Sequence, residues 1–564
     1  MLTDFLSGST LGAILGQYYR RFPERTAIHL LHSQRSDQAL TYGELIRGSV
    51  GYAQAFGKLG IRPGEVAIII QNQSPHLVYA FFGAILAGVI PSIMPFLTEK
   101  LSPDQYRASL SALFEITQPA AAVTYREFIP EITQARGRNA FPRQILVSDH
   151  IQPCDSFDLD QMAGMRSAPQ DIVLLQHSSG TTGLQKGVAL SHQAIFNQLN
   201  AYAHALKLDS QDVIVSWLPL YHDMGLIAGF LLPILCGTPL VLMSPFDWVR
   251  APHRLLQAIS SFRGTLAWLP NFAYNFCAQK IRDRDLEGVD LSSWRAVINC
   301  SEPMYWSSHQ MFAERFRPYG FCLEALATSY AMAENVFAVT QGGIDNPVRI
   351  DQVDQRALIT QQIAVPASDG PGAIKMLSAG APIANTRLRV LDPKGQVVPD
   401  RHIGEISIQS TCMLTGYFKR PDLTAKAFLD GWYLTGDLGY LADGELYITG
   451  RKKDLIIVGG KNIYPQDLER LAGDVAGVHA GRVVAFGVFN ERLGTEDVVI
   501  LAESDQQKPQ LVQKIADEIR DRVTRGSDVA LRYVKIVERG WLQKTSSGKI
   551  ARSTNREKYL QEFH

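Results

Sequence analysis

Short apolar runs alternate with longer amphipathic stretches through most of this chain. In Leu40-Thr-Tyr-Gly-Glu-Leu45 a threonine is placed to cap a helix whose apolar spacing continues to about Leu59. Gly60-Ile-Arg-Pro-Gly64 reads as a turn, and residues 66–70 as a strand. Helix and strand then repeat through strands at 120–123 and 144–147. After residue 190 the alternation resumes, with helices at 192–206, 226–235 and 252–259 and strands at 212–217, 240–243, 265–269 and 297–300. The helix at 226–235 carries no charge. This pattern predicts doubly wound α/β layers with a mostly parallel sheet. Polar residues recur just past the strand ends, the edge of an open α/β sheet where ligands bind. From 374 to 450 the segments shorten, alternate and gain glycines, and antiparallel strands are expected at 386–391, 403–409 and 445–449. Beyond the charged run Gly450-Arg-Lys-Lys-Asp454 the pattern predicts a small α/β unit. Its strands fall at 455–458, 483–488, 497–502 and 533–537, and its helices at 465–471 and 509–524.

Residues 77–96 are twenty positions without a charge, long enough for a membrane helix. Gly83, Gly88, Pro91 and Pro95 interrupt them, and a buried helix, a turn at Gly88 and a buried strand through 89–94 fit better. No transmembrane segment is expected. The chain of 564 residues, 46% hydrophobic and 20% charged, has the composition of a soluble protein with several folding units. Lys+Arg and Asp+Glu balance at 55 each, so net charge signals no nucleic acid or other polyanion partner. The six cysteines include no C-x-x-C pair, which argues against a zinc site or a disulfide framework. Met1-Leu-Thr-Asp-Phe-Leu-Ser lacks the basic and apolar regions of a signal peptide, and a cytoplasmic location is expected.

The densest chemistry lies in Gln176-His-Ser-Ser-Gly-Thr-Thr-Gly-Leu-Gln-Lys-Gly-Val-Ala-Leu-Ser-His192. A buried strand leads into a loop whose glycines let backbone N–H groups converge, with hydroxyls and Lys186 to add donors and charge. Such a loop holds phosphates; alone, it reads equally as an ordinary hairpin turn. It is not a Walker loop: the G-x-x-x-x-G-K-[ST] spacing is missing, and a strand follows where that motif needs a helix.

The loop is followed in order by Tyr330-Ala-Met-Ala-Glu334, Tyr433-Leu-Thr-Gly-Asp437, Gly450-Arg451 and Lys544-Thr-Ser-Ser-Gly-Lys549. This series resembles the adenylate-forming superfamily of acyl-CoA synthetases, luciferases and peptide-synthetase adenylation domains, over nearly the whole chain. The resemblance implies a large N-terminal domain, residues 1–450, of α/β layers plus a distorted β-barrel-like part. A small mobile C-terminal α+β domain, 451–564, would carry the catalytic lysine. It implies ATP and Mg²⁺ as cofactors. Ser179, Gly180, Thr181, Thr182, Gly183 and Lys186 would cradle phosphates, and Glu334 would hold the metal. Ser301, Glu302, Pro303, Tyr330, Ala331 and Met332 would flank the adenine, and Asp437 with Arg451 the ribose. Lys549 would bridge the acyl carboxylate and the α-phosphate, His222 would lie near the acyl group, and Lys453 matches the hinge. Read singly, Glu334 and Asp437 are surface charges or caps, His222 a core histidine and Lys549 a solvated lysine.

Ser216-Trp-Leu-Pro-Leu-Tyr-His-Asp-Met-Gly225, Pro270-Asn-Phe-Ala-Tyr274 and Tyr464-Pro-Gln-Asp467 resemble the fatty acyl-AMP ligases, as does Ala333 where most relatives have threonine. The segment at about 340–377, with Asp351-Gln-Val-Asp-Gln-Arg-Ala-Leu358, looks like the insertion typical of that branch, thought to disfavour CoA; a variable surface loop is the alternative. The resemblance implies activation of a fatty acid to its acyl-adenylate and transfer to the phosphopantetheine thiol of an acyl carrier protein. A medium- or long-chain acyl-CoA synthetase and a non-catalytic acyl- or nucleotide-binding regulator are the other readings. The small basic excess after Arg451 suits an acidic carrier protein. Gln185, Ala331 and Gln543 depart from the family pattern, which has proline, glycine and proline there.

Overall fold

The computed structural model describes residues 10–97, 103–138, 140–178, 186–458, 461–490, 492, 495–527, 531–545 and 548–563. The threonine cap is present: Thr41 Oγ1 accepts from the Glu44 N–H at 3.1 Å, and Glu44 Oε2 accepts from the Thr41 N–H at 2.9 Å. This capping box starts the helix Tyr42–Lys58. The uncharged stretch becomes helix Pro75–Leu86, a turn with Gly88 at φ +70°, and strand Ile90–Ile93. Among the described residues no helix is long and apolar enough to cross a membrane.

Two sheets carry the layered part. One orders its strands Leu326–Thr328, Ala296–Asn299, Leu266–Leu269, Ile214–Ser216, Leu240–Met243, Thr26–Leu31 and Gln38–Thr41, with only the last antiparallel. The other, fully parallel, runs Ile90–Ile93, Val66–Ile69, Ala121–Thr124, Gln144–Val147. Their central strands are buried at every position, as parallel strands with both faces covered must be. That is why they read in sequence as unbroken apolar runs.

One predicted element takes a different form. The expected helix at 226–235 is π-helical over Met224–Leu231 and only then α-helical, over Leu232–Cys236. A Cβ at position 225 would lie 2.2 Å from the Pro219 carbonyl oxygen, and one at 229 would lie 2.5 Å from Ser216 Oγ. Glycine at both positions lets the wide coil sit directly on the end of strand Ile214–Ser216. π-turns are rare and concentrate at functional sites.

The antiparallel part is a sheet of Thr386–Leu391, Gly404–Ser410, Trp432–Ala442 and Glu445–Arg451, with the short Phe428–Leu429 at one side. Within residues 340–377, strands Ile350–Asp354 and Ala373–Leu377 form a hairpin spanned by helix Gln355–Thr360. Asp351 roots that hairpin, accepting from the Tyr440 hydroxyl at 2.8 Å and from Arg401 at 3.0 Å. The small C-terminal unit has its own apolar core around Ile456, Leu468, Val483, Ile500 and Ile519. Its sheet is Val483–Asn490, Thr495–Glu503 and Tyr533–Val537, packed by helices Pro465–Gly473 and Pro509–Gly526. A third helix, Arg552–Phe563, was not foreseen; it is mostly polar and fully buries only Asn555 and Tyr559. All six cysteines are free.

Candidate active site

Ser179, Gly180, Thr181, Thr182 and Gly183 lie outside the described residues, but the strands that lead into and out of their loop are defined. Ile172–Ser178 pairs antiparallel with Lys186–Ser191, setting Ser178 opposite Lys186. The Lys186 ammonium stands 4.7 Å above the Tyr417 ring. Tyr417 is brought there by a two-residue strand, Gly416–Tyr417, that pairs with Val188 and Ala189. Its hydroxyl donates to Glu334 Oε1 at 2.9 Å and lies 2.9 Å from the Tyr433 hydroxyl. Glu334 occupies the turn Ala333–Asn335, and the next residue, Val336, is held at φ +62°. A β-branched residue in left-handed backbone is strained, and here the buried Asn335 side chain holds the turn by donating to the Ala338 carbonyl at 2.7 Å. Burial raises the Glu334 pKa, and so does the Asp223 charge; the Tyr417 hydrogen bond and the Lys186 charge oppose them.

The second group of carboxylates gathers where the antiparallel sheet meets the parallel one. Asp437 and Arg451 face each other in register across a hairpin, with Arg451 Nε donating to Asp437 Oδ1 at 3.2 Å. The Tyr330 hydroxyl donates to the other oxygen, Oδ2, at 2.6 Å. Ala331 bridges to Ala338, and the Met332 N–H donates to the Phe337 carbonyl at 2.9 Å, so this motif folds back as a tight loop. Ser301 has φ +74°, and Pro303 is exposed. Glu302 Oε1 accepts from the Phe272 N–H at 2.6 Å in the first turn of helix Asn271–Lys280. Burial raises the Glu302 pKa, against that hydrogen bond and the Lys549 charge. The same hydrogen bond ties the motif to an aromatic wall in which Trp217 and Trp248 stack at 3.6 Å, flanked by Phe272 and Phe276.

His222 and Asp223 sit at the mouth of the π-helix. Asp223 Oδ1 accepts from the Met224 N–H at 2.8 Å, and among the described residues the buried His222 Nε2 has no hydrogen-bond partner. Burial pushes the His222 pKa down to about 3, reinforced by the charge of Lys549. Lys549 thus reaches this site from the small unit. Burial lowers its own pKa, as does Arg451, while Asp223 and Glu302 oppose the shift; these neighbours act on it through charge, not through side-chain hydrogen bonds. Lys453 lies on the turn Lys452–Asp454, where burial and then Arg451 lower its pKa.

Contacts between the small unit and the rest explain this placement. A Cβ at Gly450 would lie 2.7 Å from Gln466 Nε2 and 2.8 Å from Tyr464 Cδ1, so only glycine lets the segment close onto the strand. Tyr464 packs in one cluster with Val353 and Leu358 of the hairpin and with Leu438 and Tyr440 of the sheet. Gln355 of the hairpin donates to the Gly526 carbonyl at 3.3 Å. Within the small unit, Arg552 binds Asp454 Oδ2 at 2.6 Å and Glu469 Oε1 at 2.7 Å, joining the turn after Lys453 to the helix that follows Lys549.

Among the described residues no cluster of three His, Cys, Asp or Glu side chains could hold a metal unaided. One half-buried carboxylate, Glu334, within reach of the Lys186 charge nonetheless suits Mg²⁺, which takes one or two carboxylates plus phosphate and water oxygens. The site therefore gathers Lys186, His222, Glu302, Glu334, Tyr330, Asp437, Arg451 and Lys549 into one region. Sequence reading missed Tyr417 and Asp223. Tyr417 stands in no recognised motif, whereas Asp223 adjoins His222 in a segment already singled out.

The AMP-binding enzyme family matches residues 16–418. A medium-chain-fatty-acid–[acyl-carrier-protein] ligase, JamA, of Moorena producens is 31% identical, covering 94% of this chain and 92% of that protein. A long-chain-fatty-acid–AMP ligase, FadD26, of Mycobacterium marinum is 28% identical over 93% of this chain and 91% of its own. A solved structure from work on fatty acyl-adenylate ligases of E. coli and L. pneumophila superposes with a TM-score of 0.90 at 28% identity, covering 99% of this chain and 98% of that one. Family match, near-complete coverage and shared fold agree, and the chain belongs to the AMP-binding enzyme family, the adenylate-forming ligases.

Proposed function

We propose that this protein is a fatty acyl-AMP ligase that passes its acyl group to the phosphopantetheine thiol of an acyl carrier protein. The observation that carries the reading is that the charge of Lys549, from the small unit, acts on Asp223, Glu302 and His222 of the large one. A fatty acid carboxylate attacking the α-phosphorus of ATP forms a C–O–P linkage and expels pyrophosphate. Both reactants are anions, so neutralisation and alignment are the main tools of catalysis. Lys549 neutralises the carboxylate and α-phosphate as they approach. Lys186 and the loop Ser179–Gly183 hold the departing phosphates. Glu334, fixed by Tyr417, holds Mg²⁺, which when bound offsets phosphate charge. Asp437 accepts from the ribose hydroxyls, with Arg451 and Tyr330 setting the orientation of its two oxygens. Tyr330 and the 301–303 backbone flank the adenine, and His222 lies toward the acyl carboxylate. In the second step the thiol attacks the acyl carbonyl, a C–S bond forms, and AMP leaves.

The choice of acceptor rests on the hairpin at 350–377, which touches both parts of the molecule through Leu358, Tyr464 and Gln355. Hinge motion at Lys453 is needed to exchange one chemistry for the other, and a hairpin bonded to both sides limits that motion. The likeness to JamA, whose name prints a carrier-protein acceptor, supports the same choice. The test is to supply ATP, Mg²⁺ and fatty acids of several lengths, and then either CoA or a phosphopantetheinylated carrier protein. Acyl-AMP formation followed by acyl loading of the carrier is expected. Rapid acyl-CoA formation would overturn the acceptor, and no acyl-AMP with any fatty acid would overturn the ligase.

A further inference from the structure

Two buried side chains and one half-buried arginine hold the segment that leads to Lys549, and none of them belongs to a motif discussed above. Glu503 and Asn555 are fully buried. Glu503 Oε1 accepts from the Leu542 N–H at 2.8 Å, and its ion-pair partner Arg482, 3.6 Å away, donates to the Leu542 carbonyl at 3.5 Å. One residue on, Asn555 Oδ1 accepts from the Gln543 N–H at 2.8 Å, while Asn555 Nδ2 donates to the Gln543 carbonyl and to the Ala551 carbonyl, each at 2.9 Å. The N–H and C=O of two successive residues are thus all gripped by side chains.

From that clamp the chain makes a narrow hairpin. The Ala551 N–H donates to the Gln543 carbonyl at 3.1 Å, the Thr545 N–H to the Lys549 carbonyl at 2.7 Å, and Lys544 bridges to Ile550. Lys549 is on the return limb, and Ala551 at its foot is held by the same carboxamide that holds Gln543. The Gln543 N–H exists only because this chain departs here from the family pattern: a proline would have no N–H to give. Asn555 Oδ1, without it, would be a fully buried acceptor left unpaired, which is costly.

We infer that Asn555, seconded by Glu503, is a positioning residue for adenylation, aiming Lys549 by fixing both limbs of its hairpin. This rests on the role given to Lys549 above. Misplacing a catalytic group by about an ångström costs up to roughly a hundredfold in rate. The effect reaches the chemistry only through Lys549.

The test is ATP–pyrophosphate exchange with dodecanoate, hexadecanoate and hexanoate, run on four full-length proteins: wild type, Asn555→Ala, Lys549→Ala and the double variant. Asn555→Ala is expected to lower the turnover number about tenfold or more with little change in KM for ATP. In the Lys549→Ala background the same change should shift the residual rate by less than about twofold, since interacting residues are non-additive. An equal fractional loss in both backgrounds, or a wild-type rate for Asn555→Ala, would overturn the proposal. If Lys549→Ala itself keeps its rate, the role of the lysine fails instead. Should Asn555→Ala not fold, as judged by its melting transition, Asn555→Asp preserves the volume and keeps an acceptor for Gln543. It faces two carbonyl oxygens with no donor, and the same loss and the same non-additivity are expected of it.

Discussion

The two walls of the site are built on opposite plans. On the large side every carboxylate already has a partner: Glu334 with Tyr417, Asp437 with Tyr330 and Arg451, Glu302 with the Phe272 N–H, and Asp223 with the Met224 N–H. On the small side Lys549 meets its neighbours through charge alone, and its own unit fixes only the backbone around it. A wall of carboxylates fixed in advance needs no reorganisation when charge develops, which is where electrostatic catalysis gains most. On the proposed function, a lysine bonded to none of these carboxylates could leave after one step without breaking a bond network, and the contrast would let one site serve two reactions.

The sharpest way to break that contrast is to remove the arriving charge. Lys549→Ala should lower adenylation by about 10²–10³, the scale of losing one transition-state donor, with the melting temperature unchanged. A near-normal exchange rate would show that the fixed wall suffices alone. Next comes the fixed wall itself. Tyr417→Phe strips Glu334 of its donor and should lower exchange about tenfold while raising the Mg²⁺ concentration for half-maximal rate, since a hydrogen bond to a charged group is worth roughly 1.5–3 kcal/mol. An unchanged Mg²⁺ dependence would separate Tyr417 from the metal. A smaller effect is expected from loosening what lies between the walls. Leu358→Ser weakens the cluster with Tyr464 and should raise CoA turnover several-fold above the parent without slowing acyl-AMP formation, because the hold on the small unit is partly relaxed. CoA use that does not change in a folded variant would disconnect the hairpin from acceptor choice.

The mildest test concerns the strand Ile172–Ser178. His177 is buried, neither ring nitrogen has a partner among the described residues, and burial lowers its pKa from 6.5 to about 4. Between those values the unfolded chain binds a proton that the folded chain refuses, so stability from this residue is complete above about pH 6.5 and is lost as pH falls toward 4. Buried carboxyls with raised pKa, such as Asp467 at about 6, act in the opposite sense over much of this range. The comparison is therefore made between variants. His177→Phe should gain about 2 kcal/mol on wild type in going from pH 7 to pH 5, read from urea unfolding at each pH. A constant difference would mean that His177 takes up its proton equally in the folded and the unfolded chain.

The layered part was legible because a strand buried on both faces has no choice but to be apolar, and Leu240–Met243 or Ala121–Thr124 could serve nothing else. The strand Trp432–Ala442 was not: Thr435, Gly436 and Asp437 break its pattern, because that stretch faces the site and not a core. The helix Arg552–Phe563 was missed for a related reason, since what it buries is a carboxamide and a tyrosine rather than an apolar stripe. Among site residues, those within contiguous motifs could be named in advance. Tyr417 could not, because its partners Glu334, Lys186 and Tyr433 are drawn from three separate stretches and meet only once the sheets are assembled. The π-helical form of Met224–Leu231 was equally hidden, since an uncharged run shows no period from which its pitch could be read.

The link from Asp454 through Arg552 to Glu469 has a mechanical meaning. It fastens the residue after Lys453, the proposed pivot, to the first turn of the helix that follows Lys549, with both ion pairs largely shielded from water. On that reading pivot and tool share one stiff arm, and a change in one backbone torsion at Lys453 would be delivered to the Lys549 ammonium with little slack.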